Sequence, residues 1–125
     1  MRRDSGAAVV DFALVGALLT LLFLGVVQLA TVLHVRNTLV DCAAEGARFG
    51  ALADRTPADG AQRTRDLIVS ALSPRFAENV SAGPARVDGL DVVRVTVEAP
   101  LPVIGLLGPS DGITVTGHGM QEPAG

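Results

Sequence analysis

The 125-residue chain contains no Lys, Trp or Tyr, and it holds only one Cys, two His and four Phe. A lone cysteine cannot build a disulfide framework, and one Cys with two His falls short of a zinc cluster. So few aromatics leave no stacking platform for bases. Ten basic residues stand against 13 acids, a net charge of −3, so the footprint for duplex nucleic acid is missing too. All ten basic residues are Arg, which reads as a coding bias more than a chemical choice. No Ser, His and acid suggest a triad, and no glycine run precedes a helix in phosphate-binding form. The composition thus points away from an enzyme, a cofactor, a metal, a nucleic acid or a small-molecule substrate. Disorder is excluded from the other side, since 49% of residues are hydrophobic and 18% charged.

What the chain has in abundance lies at its front. Phe12 to Val35 is a run of 24 residues without a charge, most of them Leu, Val, Ala or Phe. As a helix it reaches roughly 36 Å, enough to cross a hydrocarbon core of about 30 Å. It exceeds the roughly 7–15-residue core of an ordinary signal peptide. Arg2 and Arg3 precede it, so the positive-inside rule keeps the N-terminus cytoplasmic and puts the C-terminal part outside. Arg36 on the far side acts against this, while the acidic balance beyond it is compatible with translocation. The expected location is the cytoplasmic membrane, crossed once.

At the front edge of the run, Met1 to Gly6 form a short polar leader, and Ala7-Ala8-Val9-Val10-Asp11-Phe12 begins the apolar stretch. An ionised acid beside hydrocarbon is costly unless paired, which makes Asp11 a functional candidate. The bland alternative is that it marks the headgroup zone where the span starts.

A basic leader, a Gly, four apolar residues, an acid and Phe resemble the cleavage region of type IV prepilins and pseudopilins. The run from Gly6 to Val15, the Leu-rich span, Arg36-Asn37-Thr38 and Ala43-Ala44-Glu45-Gly46-Ala47-Arg48 resemble the TadE-like minor pseudopilins of tight-adherence (Flp-type) pilus systems. The likeness covers about the first fifty residues well and the rest in general layout. It implies cleavage by a prepilin peptidase between Gly6 and Ala7, and partners among other pilins or pseudopilins and the pilus assembly platform. Ala7, Asp11 and Phe12 would then serve subunit pairing, the freed amine of Ala7 meeting the Asp11 carboxylate of a neighbour. The usual acid in this family is Glu; Asp11 keeps the charge on a side chain one methylene shorter.

No Pro occurs before Pro57, so one helix is expected from about Ala7 to Ala53. Leu39, Ala43, Gly46, Gly50 and Ala53 repeat with 4-3-4-3 spacing, the seam of a packed helix. Within the span, Ala13/Ala17 and Gly16/Thr20 have small-xxx-small spacing. Thr31 and His34 add polar atoms near that side, with Gln28 at its edge. The outer seam has two readings, packing on the chain's own C-terminal part or on other subunits. Cys42 reads as a small apolar interface residue; Asp41 argues against a lipoprotein box there. The surroundings of Arg2-Arg3 do not support twin-arginine export.

Beyond the helix, Thr56-Pro57-Ala58-Asp59 reads as a helix start. That helix should run to Leu72, with Leu67, Ile68, Ala71 and Leu72 apolar and Ser73-Pro74 closing it. The period then changes to two. Val93, Val95 and Val97 alternate with polar residues between Gly89 and Pro100, and Ile113 and Val115 repeat the pattern. A weaker strand lies between Asn79 and Asp88, broken by Gly83-Pro84. Residues 101–109 are apolar, and read either as core or as an exposed contact. The expected architecture is α+β and pilin-like: a long transmembrane helix continuing outside the membrane, a second short helix, and an antiparallel sheet of about three strands. The divisions are 1–6 leader, 7–35 span, 36–55 helix continuation and 56–125 outer module. Rival readings are an uncleaved single-pass anchor with a protein-interaction module, and a secreted protein behind a long signal sequence.

Overall fold

The computed structural model describes residues 2–101 and 112–122, with side chains from Ser5 onward. Helix α1 spans Arg2–Gly50 without a break, as expected from 49 residues with no Pro. Helix α2 follows over Pro57–Ala71, then a 3₁₀ turn over Pro74–Ala77. Strands β1 (Asn79–Val87), β2 (Leu90–Pro100) and β3 (Gly112–Met120) complete the order. They form one antiparallel sheet, β1-β2-β3, with Asn79 opposite Glu98 and Pro100 opposite Gly112. The architecture is α+β, with a long apolar helix, a second helix and three strands.

Each element follows from local chemistry. Thr56 caps α2 in a capping box: its hydroxyl accepts from the Asp59 amide at 3.2 Å, and Asp59 Oδ2 accepts from the Thr56 amide at 2.9 Å. Asp88 and Gly89 both take positive φ, 52° and 79°, the pair of left-handed residues that closes a two-residue hairpin between β1 and β2. β1 does not break at Gly83-Pro84. It is an edge strand, where a residue without an N–H is tolerated.

One core joins α1, α2 and the sheet. Leu39, Ile68, Val95 and Val97 have no exposed surface, and Val35, Phe76, Val80, Val93 and Val115 complete the cluster. α2 departs from expectation on its buried face. Gly60, Ala61, Thr64 and Ile68 point inward, while Leu67 and Leu72 are half-buried and Ala71 is exposed. Small residues lead that face because α2 lies against glycines of α1. Leu101 packs half-buried against the core; the remainder of the 101–109 stretch lies outside the described residues.

Candidate functional site: one helix with two environments

α1 changes character along its length. From Ser5 to Ala30 every residue but Gly16 and Gln28 is exposed, and the most apolar window is bare of any protein cover. Val9, Phe12, Leu18, Leu21 and Phe23 are each more than 65% exposed. Surface this apolar and this continuous is not stable in water. Its threonine hydroxyls are satisfied within the helix. The hydroxyls of Thr20 and Thr31 donate to the carbonyls of Gly16 and Val27, each at 2.8 Å, so neither needs a partner outside its own helix. The helix is long and apolar enough to span a membrane.

At its start, Gly6, Ala7, Asp11 and Phe12 are all helical and exposed, and space around Gly6 is open. Among the described residues nothing hydrogen-bonds or pairs with Asp11. Ala7 and Asp11 stand four residues apart, one turn of helix on one face. Ala13, Ala17 and Thr20 are exposed and Gly16 is half-buried, so the face that carries them is uncovered in the single chain.

The outer half is different. Leu39, Ala43, Gly46 and Gly50 are buried, together with Val35, Cys42 and Ala47. Ala53, expected on the same seam, lies past the end of α1 and is exposed. The helix stops at Gly50 because the chain turns there: the Ala51 and Leu52 amides bond back to Ala47 and Phe49, and the Ala53 amide donates to Glu122 Oε2 at 3.2 Å. The Glu122 amide in turn donates to the Ala51 carbonyl at 2.9 Å.

The seam is filled by the chain's own module, by backbone-close contact on two sides. A methyl group on Gly46 would collide with Thr64 and come within 2.7 Å of the Gly60 carbonyl. On the other side, one on Gly117 would strike the backbone of Ala43 and Ala44, and one on Gly119 would strike that of Ala47. Gly60, Thr64, Gly117 and Gly119 were not among the residues singled out by the sequence. The available signal is the continued alternation Ile113, Val115, Gly117, Gly119, all facing inward.

Cys42 is buried at this interface, and burial chiefly, with the Asp41 carboxylate second, pushes its thiol pKa up. His34 and His118 are exposed, His118 Nε2 accepting from Arg94 Nε at 3.1 Å. Among the described residues no group of side chains is arranged to hold a metal ion.

Residues 6–48 match the family model described as TadE-like protein. The match covers about a third of the chain and makes this stretch similar to TadE-like proteins. The match begins at Gly6 and ends at Arg48, two residues before α1 does. The TadE-like segment is therefore nearly all helix, its first part bare and its last part clasped by the module. It connects the chain to tight-adherence pilus function and to pilus-associated partners in general. No curated protein and no solved structure is significantly similar to the chain.

Proposed function

We propose that the chain is a minor pseudopilin of a tight-adherence pilus, cleaved between Gly6 and Ala7 by a prepilin peptidase. It resides in the cytoplasmic membrane with its N-terminus inside and its module outside, and acts in pilus assembly. The observation that carries this reading is the uncovered half of α1, with an acid that has no partner among the described residues one turn beyond the cleavage edge. A simple anchor needs an apolar span but no such acid.

The chemistry runs as follows. Cleavage frees the Ala7 amine, which is positive, beside hydrocarbon. The Asp11 carboxylate of an adjacent subunit neutralises it, and each charge becomes costly in a low-dielectric setting once the other is removed. Asp11 of the same chain lies one turn away, so pairing between chains requires neighbours offset along the helix axis, and the pair fixes that stagger. The outer seam is occupied within the chain. Contacts between subunits therefore use the bare face of α1, including Ala13, Gly16, Ala17 and Thr20, or the outer surface of the module.

The test is the N-terminal sequence of the mature protein from its native membrane fraction. Processing predicts a start at Ala7, abolished by Gly6→Leu. A start at Met1 supports the uncleaved anchor, and a start beyond Val35 makes the span a signal sequence; either outcome ends the pseudopilin reading. Asp11→Ala should cut co-assembly with pilus partners while leaving cleavage intact. Co-assembly at the wild-type level would refute the pairing role.

A further inference from the structure

Resting on the reading that α1 spans the membrane, we infer that one end of the module is a bilayer-contact surface. It seats the module directly on the outer leaflet and fixes the hydrocarbon span at Phe12–Thr31. The uncharged run continues to Val35, but one face of its last turn is already taken. Val32 packs against the module core and Val35 is only 5% exposed within it. Lipid chains cannot cover a face that protein covers. Removing that turn leaves 20 residues, Phe12 to Thr31. At about 1.5 Å per residue they measure about 30 Å, the thickness of the hydrocarbon core.

The direction of β3 shows which end of the module meets the lipid. Gly117 lies on Ala43 and Gly119 on Ala47, so β3 runs parallel to α1. Going back from Gly117 to Gly112 covers about 16 Å of strand, equivalent to about 11 residues of helix. Gly112 and its partner Pro100 are thus level with Val32, where the hydrocarbon ends. Glu98 faces Asn79 at the same end of the sheet, and Arg75 and Glu78 are exposed immediately before that strand. The Asp88–Gly89 turn and Met120 occupy the opposite end.

Among the described residues the charges at the seated rim balance. Arg36 and Arg75 offset Glu78 and Glu98, which suits zwitterionic headgroups and makes no demand for anionic lipid. The register is held from both sides. Sinking α1 by one turn would draw Arg36 and the rim charges toward hydrocarbon, and raising it by one turn would draw in Asp11. Helix register, more than surface charge, sets the seat.

The test uses the full chain with Cys42→Ala, reconstituted in phosphatidylcholine vesicles. Single cysteines replace Leu22, Asn79 or Leu90, each carrying an environment-sensitive fluorophore. Asn79 and Leu90 are both exposed and lie at opposite ends of the β1–β2 hairpin, about 26 Å apart along the strand. A nitroxide on the lipid headgroup should quench the label at Asn79 several-fold more than the label at Leu90, and a mid-chain nitroxide should quench Leu22. Adding phosphatidylglycerol should leave the ratio unchanged. Quenching at Leu22 with equal signals at Asn79 and Leu90 would overturn the seat while sparing the span. A ratio that appears only with phosphatidylglycerol would overturn the register argument. Failure to quench Leu22 would overturn the span, and the seat with it.

Discussion

Gly117→Ala tests the backbone-close contact between β3 and α1. The added methyl meets the carbonyl carbon and oxygen of Ala43 and the amide nitrogen of Ala44. These are backbone atoms inside a helix, held by their own hydrogen-bond ladder, so α1 cannot yield locally. β3 must move away, and Ile113 and Val115, buried on the same strand face, lose contact as it does. Overpacking of this kind costs about 1–3 kcal/mol; with rigid atoms on the receiving side we expect about 2–3. For a module of this size that lowers the melting temperature by about 10–20 °C. Gly83→Ala is the matched control, a strand glycine with nothing within 4 Å of the added carbon, and it should not lower stability. The double variant Gly117→Ala/Gly119→Ala should cost less than the sum, because one displacement of β3 relieves both collisions. With no Trp or Tyr to report unfolding, the buried thiol of Cys42 serves instead. A fluorogenic maleimide, in a thermal ramp on the full chain in detergent, reports when the module leaves α1. A Gly117→Ala midpoint within about 2 °C of Gly83→Ala would refute the claim that β3 and α1 touch through their backbones.

Two further outcomes can be checked on the same preparation. Thr56→Ala removes the hydroxyl half of the α2 capping box and should destabilise the module by about 1 kcal/mol, a fall of about 4–8 °C in the same ramp; an unchanged midpoint would mean the cap contributes nothing. The raised thiol pKa of Cys42 has a definite sign. Above the thiol's ordinary pKa the unfolded chain releases a proton that the folded chain retains, so stability falls as pH rises through that range. Wild type should lose more stability than Cys42→Ala between pH 8 and pH 10 by tryptic-resistance assay, and parallel losses would refute the assignment.

The sequence speaks most clearly where one interaction dominates. Thr56, Pro57 and Asp59 announce the start of α2 because a cap is a local device, complete within four residues. Val93, Val95 and Val97 announce β2 because burial on one face enforces alternation. β1 is harder to see, since Pro84 reads as a break until its position at the sheet edge is known. The α1–α2 and α1–β3 contacts are harder still. They are built from Gly46, Gly50, Gly60, Gly117 and Gly119, and glycine carries no hydrophobic signal. Its usual reading as a turn marker hides its use as a surface onto which a backbone can lie. The seam from Leu39 to Gly50 was legible as a packing face, but the choice between its own module and another subunit was not. That choice depends on residues far along the chain. Asp11 is the opposite case: its candidacy is visible in the sequence, and among the described residues nothing pairs with it.

The order of contacts along the polypeptide has a consequence for biogenesis. Ala43 and Ala47 belong to the first helix to be made, whereas the glycines that cover them belong to the third strand. As synthesis proceeds, the apolar first part of α1, long enough to span a membrane, is followed by an outer part that still presents a bare face of alanines and glycines. α2 can cover one flank early, through Gly60 and Thr64, but the other flank stays open until β3 emerges and closes a loop that encloses the rest of the module. The unfinished chain thus passes through a stage with an unclaimed helix face. During that stage any competing helix with small residues at matching spacing is a rival for the place that β3 will take.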